Sequence, residues 1–463
     1  MSHKILPVLV LFAISLSMAS CLDDEKEDLV YYDDTAITRF SIGTLNKYYT
    51  VKSSTGEDSI VKTTTDCSGY KFSIDNYANT IYNTDSLPIG IDVSKVICNI
   101  STKNSGIAVW YQKSSTGTDS LSYVSTTDSV DFTSPRELRV YNTSMTAYRK
   151  YTVSVNIHKE EADTFVWRNI TNDATIANMR SMKCVCADNK IYLFGSDGVD
   201  TKVFMADDAD FTGFTPISVA PYVLGADACR NIAALGNTVF VLDGTSLMKI
   251  EASTITAISA NAPVSRLIGA GNNRIYGYDG NGNILYSTDG TAWEVCGKDD
   301  DAGFLPTDDI NLVAVPSRTN NDTYQLTLVG NNGSPLAQVW GKVEEELTAT
   351  DNQPWSHYVF GNENAYRLPA FENLNAIRYD RSIIALGYSR QQGSKVFTPF
   401  YTSKDAGITW RNDSTITMPE GFDCSAQTFT MTVDNDYHIW IICGGSGQVW
   451  RGRLNKLGWA NKE

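Results

Sequence analysis

Histidine is scarce in this chain, 4 among 463 residues, and those beyond the first few positions, His158, His357 and His438, lie far apart. The 9 cysteines are scattered as well. A zinc site draws several such ligands from short spacing, so no metal is expected. Basic residues are outnumbered, 38 lysines and arginines against 53 acids, which gives a formal charge of -15 with no basic cluster to offset it. Such a surface repels polyanions, and nucleic acid is excluded as a partner. Helical periodicity of useful length is missing, which leaves strands as the building material. Catalytic frames are missing too. In "CGGSGQ" at 443–448, Ser446 sits between two glycines outside the Gly, any, Ser, any, Gly frame of a nucleophile elbow. "GAGNNRIYG" at 269–277 turns after a strand without the helix that a dinucleotide site requires. The acid pair Asp207 and Asp208 and the run Asp299 to Asp301 fall in polar loops and read as solvated surface, without the ligand spacing of a calcium loop. No catalytic residue and no cofactor are expected.

What is present begins with "MSHKILPVLVLFAISLSMASCLDDEKEDL". One lysine, Lys4, precedes an apolar run from Ile5 to Leu16, and small residues follow up to Cys21. That order reads as a signal peptide over residues 1–20, too short and wrongly flanked for a membrane span. Met18, Ala19, Ser20 and Cys21 resemble a bacterial lipobox, in which the cysteine is acylated and becomes the first mature residue. Residues 21–33 then form an acidic tether around "LDDEKED", five acids and one lysine that have no apolar face to bury. An acidic run in this place resembles the export signal that sends lipoproteins of the Bacteroides group to the outer face of the outer membrane. The resemblance implies a lipid-anchored protein facing outward, with a periplasm-facing one as the alternative. Without Lys4, 37 basic against 53 acidic residues leave -16 for the mature chain.

Eight cysteines remain besides Cys21. Cys67 and Cys98 fall in one domain and form the first candidate disulfide. Cys184 and Cys186 alternate along an apolar stretch, face one side of a strand and read as buried thiols.

Residues 34–161 show short β-rich runs separated by turn clusters such as "SSTGED" and "SSTGTDS". In the last run Tyr151, Val153, Val155 and Ile157 alternate with Thr152, Ser154, Asn156 and His158, the period of a strand with one buried face. His158 lands on the polar face. A β-sandwich follows, and "RVYNTSMTAYRKYTVSVNIH" resembles the last two strands of immunoglobulin-like domains in bacterial surface proteins. Sandwiches of this kind host many functions, so the likeness implies a fold and nothing more.

Residues 162–463 follow another grammar. Apolar runs end in glycine at Gly195, Gly244, Gly280, Gly330, Gly387 and Gly444. Each is followed by a second strand-like run, and several are preceded by a third, as in "MKCVCAD" and "NLVAVPS". A repeat of several strands recurring every roughly 35 to 60 residues is the mark of propeller blades, none of which buries its two apolar faces alone. Six units predict a six-bladed β-propeller, with a degenerate seventh blade as the alternative. Ring closure borrows a strand from the other end of the domain. "FVWRNI" at 165–170 is one candidate beside "GQVWRGRL", and "LGWAN" at 457–461 competes with it.

Ser403, Asp405, Gly407, Thr409 and Trp410 match the Asp-box pattern of sialidase-like propellers, and Ser287, Asp289, Gly290 and Trp293 form a shorter copy. The resemblance implies a hairpin between the third and outermost strands of a blade, on the rim. The residue types explain themselves: aspartate and serine side chains bond the amides of their own tight loop, glycine takes a backbone angle that a side chain strains, and tryptophan buries a ring against the blade. The boxes are expected to be structural.

"AYRLPAF" at 365–371 is close to the arginine motif of sialidases, which clamp a sugar carboxylate with three arginines. In that family the motif precedes the Asp boxes, whereas here it follows the first of them, which counts against Arg367 as a catalytic anchor. Trp355, Tyr366 and Arg367 are the residues expected to meet a ligand, and Trp340, Tyr358 and Trp450 lie near blade edges where flat rings also stack. Asp followed by Ser or Thr and an apolar residue, at Asp34, Asp58, Asp85, Asp119 and Asp128, resembles an O-glycosylation motif of exported Bacteroides proteins. The whole arrangement resembles an uncharacterised family of Bacteroides-group lipoproteins with a propeller, the domain of unknown function 6242. It implies a cell-surface binding module for a glycan or a surface protein. The alternatives are a glycoside-processing enzyme and a structural part of an outer-membrane complex.

Overall fold

The computed structural model describes residues 30–52, 57–114, 117–347, 353–359, 361, 363–391, 394–423 and 428–459. Cys21 with its leader, and Cys424, lie outside the described residues. No described helix is long and apolar enough to cross a membrane. The chain forms two compact units, one up to Lys159 and the other from Glu160 onward.

The first unit is built on a six-stranded sheet in the order Phe72–Asp75, Thr80–Asn83, Tyr148–Ser154, Arg136–Tyr141, Ile107–Gln112 and Ser120–Tyr123. Neighbours are antiparallel except Thr80–Asn83, which runs parallel to Tyr148–Ser154. Tyr151, Val153 and Val155 enter the core while Thr152 and Asn156 face out, as strand alternation requires. Two further pairs complete the unit, Ile37–Ile42 with Cys98–Thr102, and the hairpin of Thr44–Lys52 and Asp58–Asp66. The expected Cys67–Cys98 bridge is not formed. Both are buried free thiols, and packing accounts for each. The Cys67 thiol turns to the Thr65 carbonyl at 3.6 Å, and burial pushes the Cys98 thiol up to about 12.

The second unit is a β-propeller. Six sheets follow one another, each entered at its inner strand: Ser181–Ala187, Ile232–Leu235, Arg266–Ala270, Asp308–Pro316, Glu372–Tyr379 and Phe429–Val433. Each inner strand contacts the next, and the sixth contacts the first, so the sheets close a ring. The sheets have four strands each, and the fifth carries an extra one, Ser394–Phe397. Apolar clusters fill the wedges between adjacent sheets, which is where the faces that no sheet can bury alone meet. Cys184 belongs to one such cluster and Cys186 packs on it.

Of the six glycines that end the apolar runs, Gly195, Gly330, Gly387 and Gly444 have a steric cause, whereas Gly244 stands in open space at φ +57°. A Cβ on Gly387 meets the Phe371 Cβ at 2.5 Å, and one on Gly444 meets the Met179 carbonyl oxygen at 2.6 Å. The chain entering the ring crosses the end of the second strand, and only hydrogen fits beneath it. In the third sheet Gly277 takes this place, where a Cβ would meet the Arg266 carbonyl oxygen at 2.8 Å, and Gly280 stands in open space. The sixth sheet is completed by Phe165–Asn172, which pairs antiparallel with Gln448–Leu454. Of the competing segment at 457–461, Leu457 and Gly458 end a 3-10 turn that runs Asn455–Gly458, and residues 460–461 lie outside the described residues.

Candidate functional site

The inner strands of neighbouring sheets are not paired with one another in a ladder, so their edge groups need other partners. They line a channel of about 260 Å³ that touches all six. At its mouth, where the inner strands begin, polar side chains stitch one sheet to the next. Asn311 Nδ2 donates to the Leu374 carbonyl at 3.0 Å, linking the fourth sheet to the fifth. Asn373 Nδ2 reaches the Phe429 carbonyl at 2.8 Å, and Asn375 accepts from the Met431 amide at 3.1 Å, linking the fifth to the sixth. Thr430 Oγ1 accepts from the Cys184 amide at 3.0 Å and returns the ring to the first sheet. Asp309 and Asn373 both have positive φ, 48° and 53°, and a register shift follows each, so two sheets open on the same bulged entry.

Three cations complete this collar. Arg230 Nε donates to Ser181 Oγ at 2.9 Å, from the second sheet to the first. The Arg266 guanidinium bonds the Thr307 carbonyl at the entry of the fourth sheet. Lys183 Nζ reaches the Ile310 carbonyl at 3.4 Å, from the first sheet to the fourth, directly across the ring. Burial, with the nearby Arg266 charge second, pushes Lys183 down to about 8. Burial also lowers Arg266. Asp309 is pushed up by burial, against the opposing effects of the Leu374 amide, the Arg230 charge and Asn331. The mouth thus offers hydrogen-bond donors and positive charge toward a cavity.

Antiparallel alternation puts the other end of the ring where third strands turn into outer strands. Ser403, Asp405, Gly407, Thr409 and Trp410 lie there, between Tyr401–Ser403 and Arg411–Asn412. Ser403 Oγ accepts from the Gly407 amide at 2.8 Å and donates to Asp405 at 2.9 Å. Asp405 also accepts from the Thr409 amide at 2.9 Å and hydroxyl at 2.6 Å. Gly407 has φ +93°, and the buried Trp410 donates to its carbonyl at 2.9 Å. Burial raises the Asp405 carboxyl, but the bonds from Thr409 and Ser403 outweigh it and hold the group below its ordinary value. In the shorter copy Ser287 accepts from Gly290 at 2.8 Å and Trp293 donates to the Gly290 carbonyl at 3.0 Å. There Thr291 bonds Asp289 through amide and hydroxyl, a role that the sequence pattern had not assigned.

The three residues expected to meet a ligand are not brought together at the channel. Trp355 is wholly buried, edge-on to Tyr276 at 5.6 Å, and leaves no ring face for a ligand. Trp340 and Trp450 are core residues as well. Tyr366 is 46% exposed, but the Arg411 guanidinium covers its ring at 4.1 Å and its carbonyl accepts from the Trp410 amide at 2.8 Å. Arg367 is half-buried and does not line the channel. The glycine spacing of the repeats does not mark the residues that do form the mouth. A signal was there in the matching entries "DIN" at 309–311 and "NLN" at 373–375, with Arg266 opening "RLIGA".

Two family descriptions match this chain: the DUF6242 beta propeller domain over residues 161–462 and the DUF6242 N-terminal domain over residues 40–155. No curated protein matches it. Among solved structures, a Trichoderma reesei carbohydrate-active enzyme of family AA12 is 11% identical, covering 63% of this chain and 96% of its own, with a TM-score of 0.40. A Bacteroides thetaiotaomicron protein of unknown function is 10% identical, covering 83% and 98%, with a TM-score of 0.41. The α-L-arabinofuranosidase of Podospora anserina is 12% identical, covering 63% and 97%, with a TM-score of 0.29.

Proposed function

The chain belongs to the DUF6242 family, and on that premise we propose a non-catalytic, glycan-binding surface lipoprotein. Cys21 carries the lipid, the acidic tether and an immunoglobulin-like sandwich act as spacer, and a six-bladed propeller with rim Asp boxes presents the ligand face. One observation carries the binding role: amides, hydroxyls and cations of all six sheets and their entry turns converge on the mouth of an open channel. Side chains of this kind match the alternating donors and acceptors of sugar hydroxyls. The test is a glycan array probed with the full chain, followed by Asn311→Leu and Asn375→Leu. Saturable binding that both changes weaken supports the assignment, and binding that survives both removes the ligand from the mouth.

Turnover is the second reading, favoured by an amine lowered toward neutrality and a carboxyl raised by burial within one mouth, the combination that acid-base chemistry uses. Hydrolysis of any member of a chromogenic glycoside panel, lost on Asp309→Asn, makes the protein an enzyme.

A further inference from the structure

We propose that the channel mouth is an anion site in which Lys183, Arg230 and Arg266 take the carboxylate of a uronic acid residue in the bound glycan, an inference that rests on the glycan-binding reading above. The starting point is a local inversion of charge. In a chain of formal charge -15, three cations share this small mouth with Asp309, and Asp308 opens the same strand. Among the described residues none of the three forms an ion pair. Their protein partners are a hydroxyl, Ser181, and two backbone carbonyls, those of Thr307 and Ile310. The Asp309 carboxylate is committed elsewhere, accepting from Asn331 Nδ2 at 3.2 Å and from the Leu374 amide.

Burial, with the Arg266 charge second, lowers Lys183, and burial lowers Arg266, with Asp308 opposing it and Arg230 adding to it. Charges removed from water are as a rule paired; Lys183 and Arg266 are drawn out of water while Arg230 stays exposed beside them, and here the pairing group comes from the ligand. Three cations against Asp308 and Asp309 leave one net positive charge, which suits a monoanion better than a phosphate dianion. A guanidinium also presents two parallel donors to the two oxygens of a carboxylate. Beside the cations, Asn311, Asn375 and Thr428 border the same mouth; the amide donors of Asn311 and Asn375 are spent on backbone carbonyls, so a ring hydroxyl of the sugar donates to the Asn311 side-chain oxygen.

The experiment is calorimetric titration of the full chain with matched pairs, oligogalacturonate against the corresponding neutral oligogalactose, which differ at C6. The acidic member is expected to bind at least about tenfold more tightly, the scale of one charge-assisted hydrogen bond. Arg230→Gln, at an exposed position, and Arg266→Gln are each expected to cost about tenfold for the acidic ligand and little for the neutral one. A merely structural role for the cations lowers the melting temperature of the variants and leaves the acidic preference unmoved. Equal binding of the two sugars, or that unmoved preference, overturns the anion site while the binding module stands. Displacement of the uronate by an acidic peptide of equal or higher affinity overturns the sugar assignment. Binding of neither sugar, with the glycan array also empty, removes the binding reading itself.

Discussion

Asp405 accepts three hydrogen bonds, all from Ser403 and Thr409, within four positions along the chain. Asp405→Ala is therefore expected to cost about 1 kcal/mol, read as a lowered unfolding midpoint, and to leave ligand binding unchanged. Loss of binding would move the hairpin into the site. Lys183 is the opposite case, since its partner Ile310 is distant in sequence and its charge is held against burial and Arg266. Between about pH 8 and its ordinary value of 10.5 the unfolded chain binds the proton that the folded chain releases. Stability from this group thus rises with pH across that window, and its cost is fully present below it. Lys183→Met is expected to stabilise the protein at pH 7, with the gap between the two melting curves closing between about pH 8 and 10.5. The same contrast explains what the sequence reveals at this scale. The hairpins close on themselves and are legible in ten letters, whereas the burial of Trp355 and the convergence of Lys183, Arg230 and Arg266 exist only once the ring has closed.

Strands and their order were largely legible, because the apolar runs to Gly195, Gly330, Gly387 and Gly444 answer to a packing rule that repeats with the sheet. Gly387→Val is expected to cost about 1–3 kcal/mol through its clash with Phe371. Gly280→Ala, facing open space at an ordinary backbone angle, stays within about 0.5 kcal/mol. Paired chemical melts of the two variants check this, and equal losses would mean that the crossing chain yields. What the repeat does not reveal is where a sheet bulges. The left-handed Asp309 and Asn373 set the collar, and their signal is two polar letters around one apolar residue. Parallel pairing of Thr80–Asn83 in the first unit was likewise invisible, since short strands carry no mark of direction.

At the scale of the molecule, formal charge -15 and a positive mouth act on different lengths. The mouth meets one sugar residue, whereas the surrounding surface repels every further charge on a polymer within about 10 Å at 0.1 M salt. Short oligouronates are expected to bind more tightly per molecule than long polyuronate at low salt, with the difference shrinking as salt rises. A preference for the long polymer at low salt would contradict this. Cys21→Ser is expected to shift the protein from the membrane pellet to the soluble fraction on cell fractionation, and retention in the pellet would remove the lipid anchor. The pairing of Phe165–Asn172 with Gln448–Leu454 has a kinetic corollary. The earliest strand of the propeller to be synthesised is obliged to wait for the latest, so no ring exists on an unfinished chain. Premature termination or slow emergence leaves open sheet edges on display, and that interval is when the protein most needs a holding chaperone.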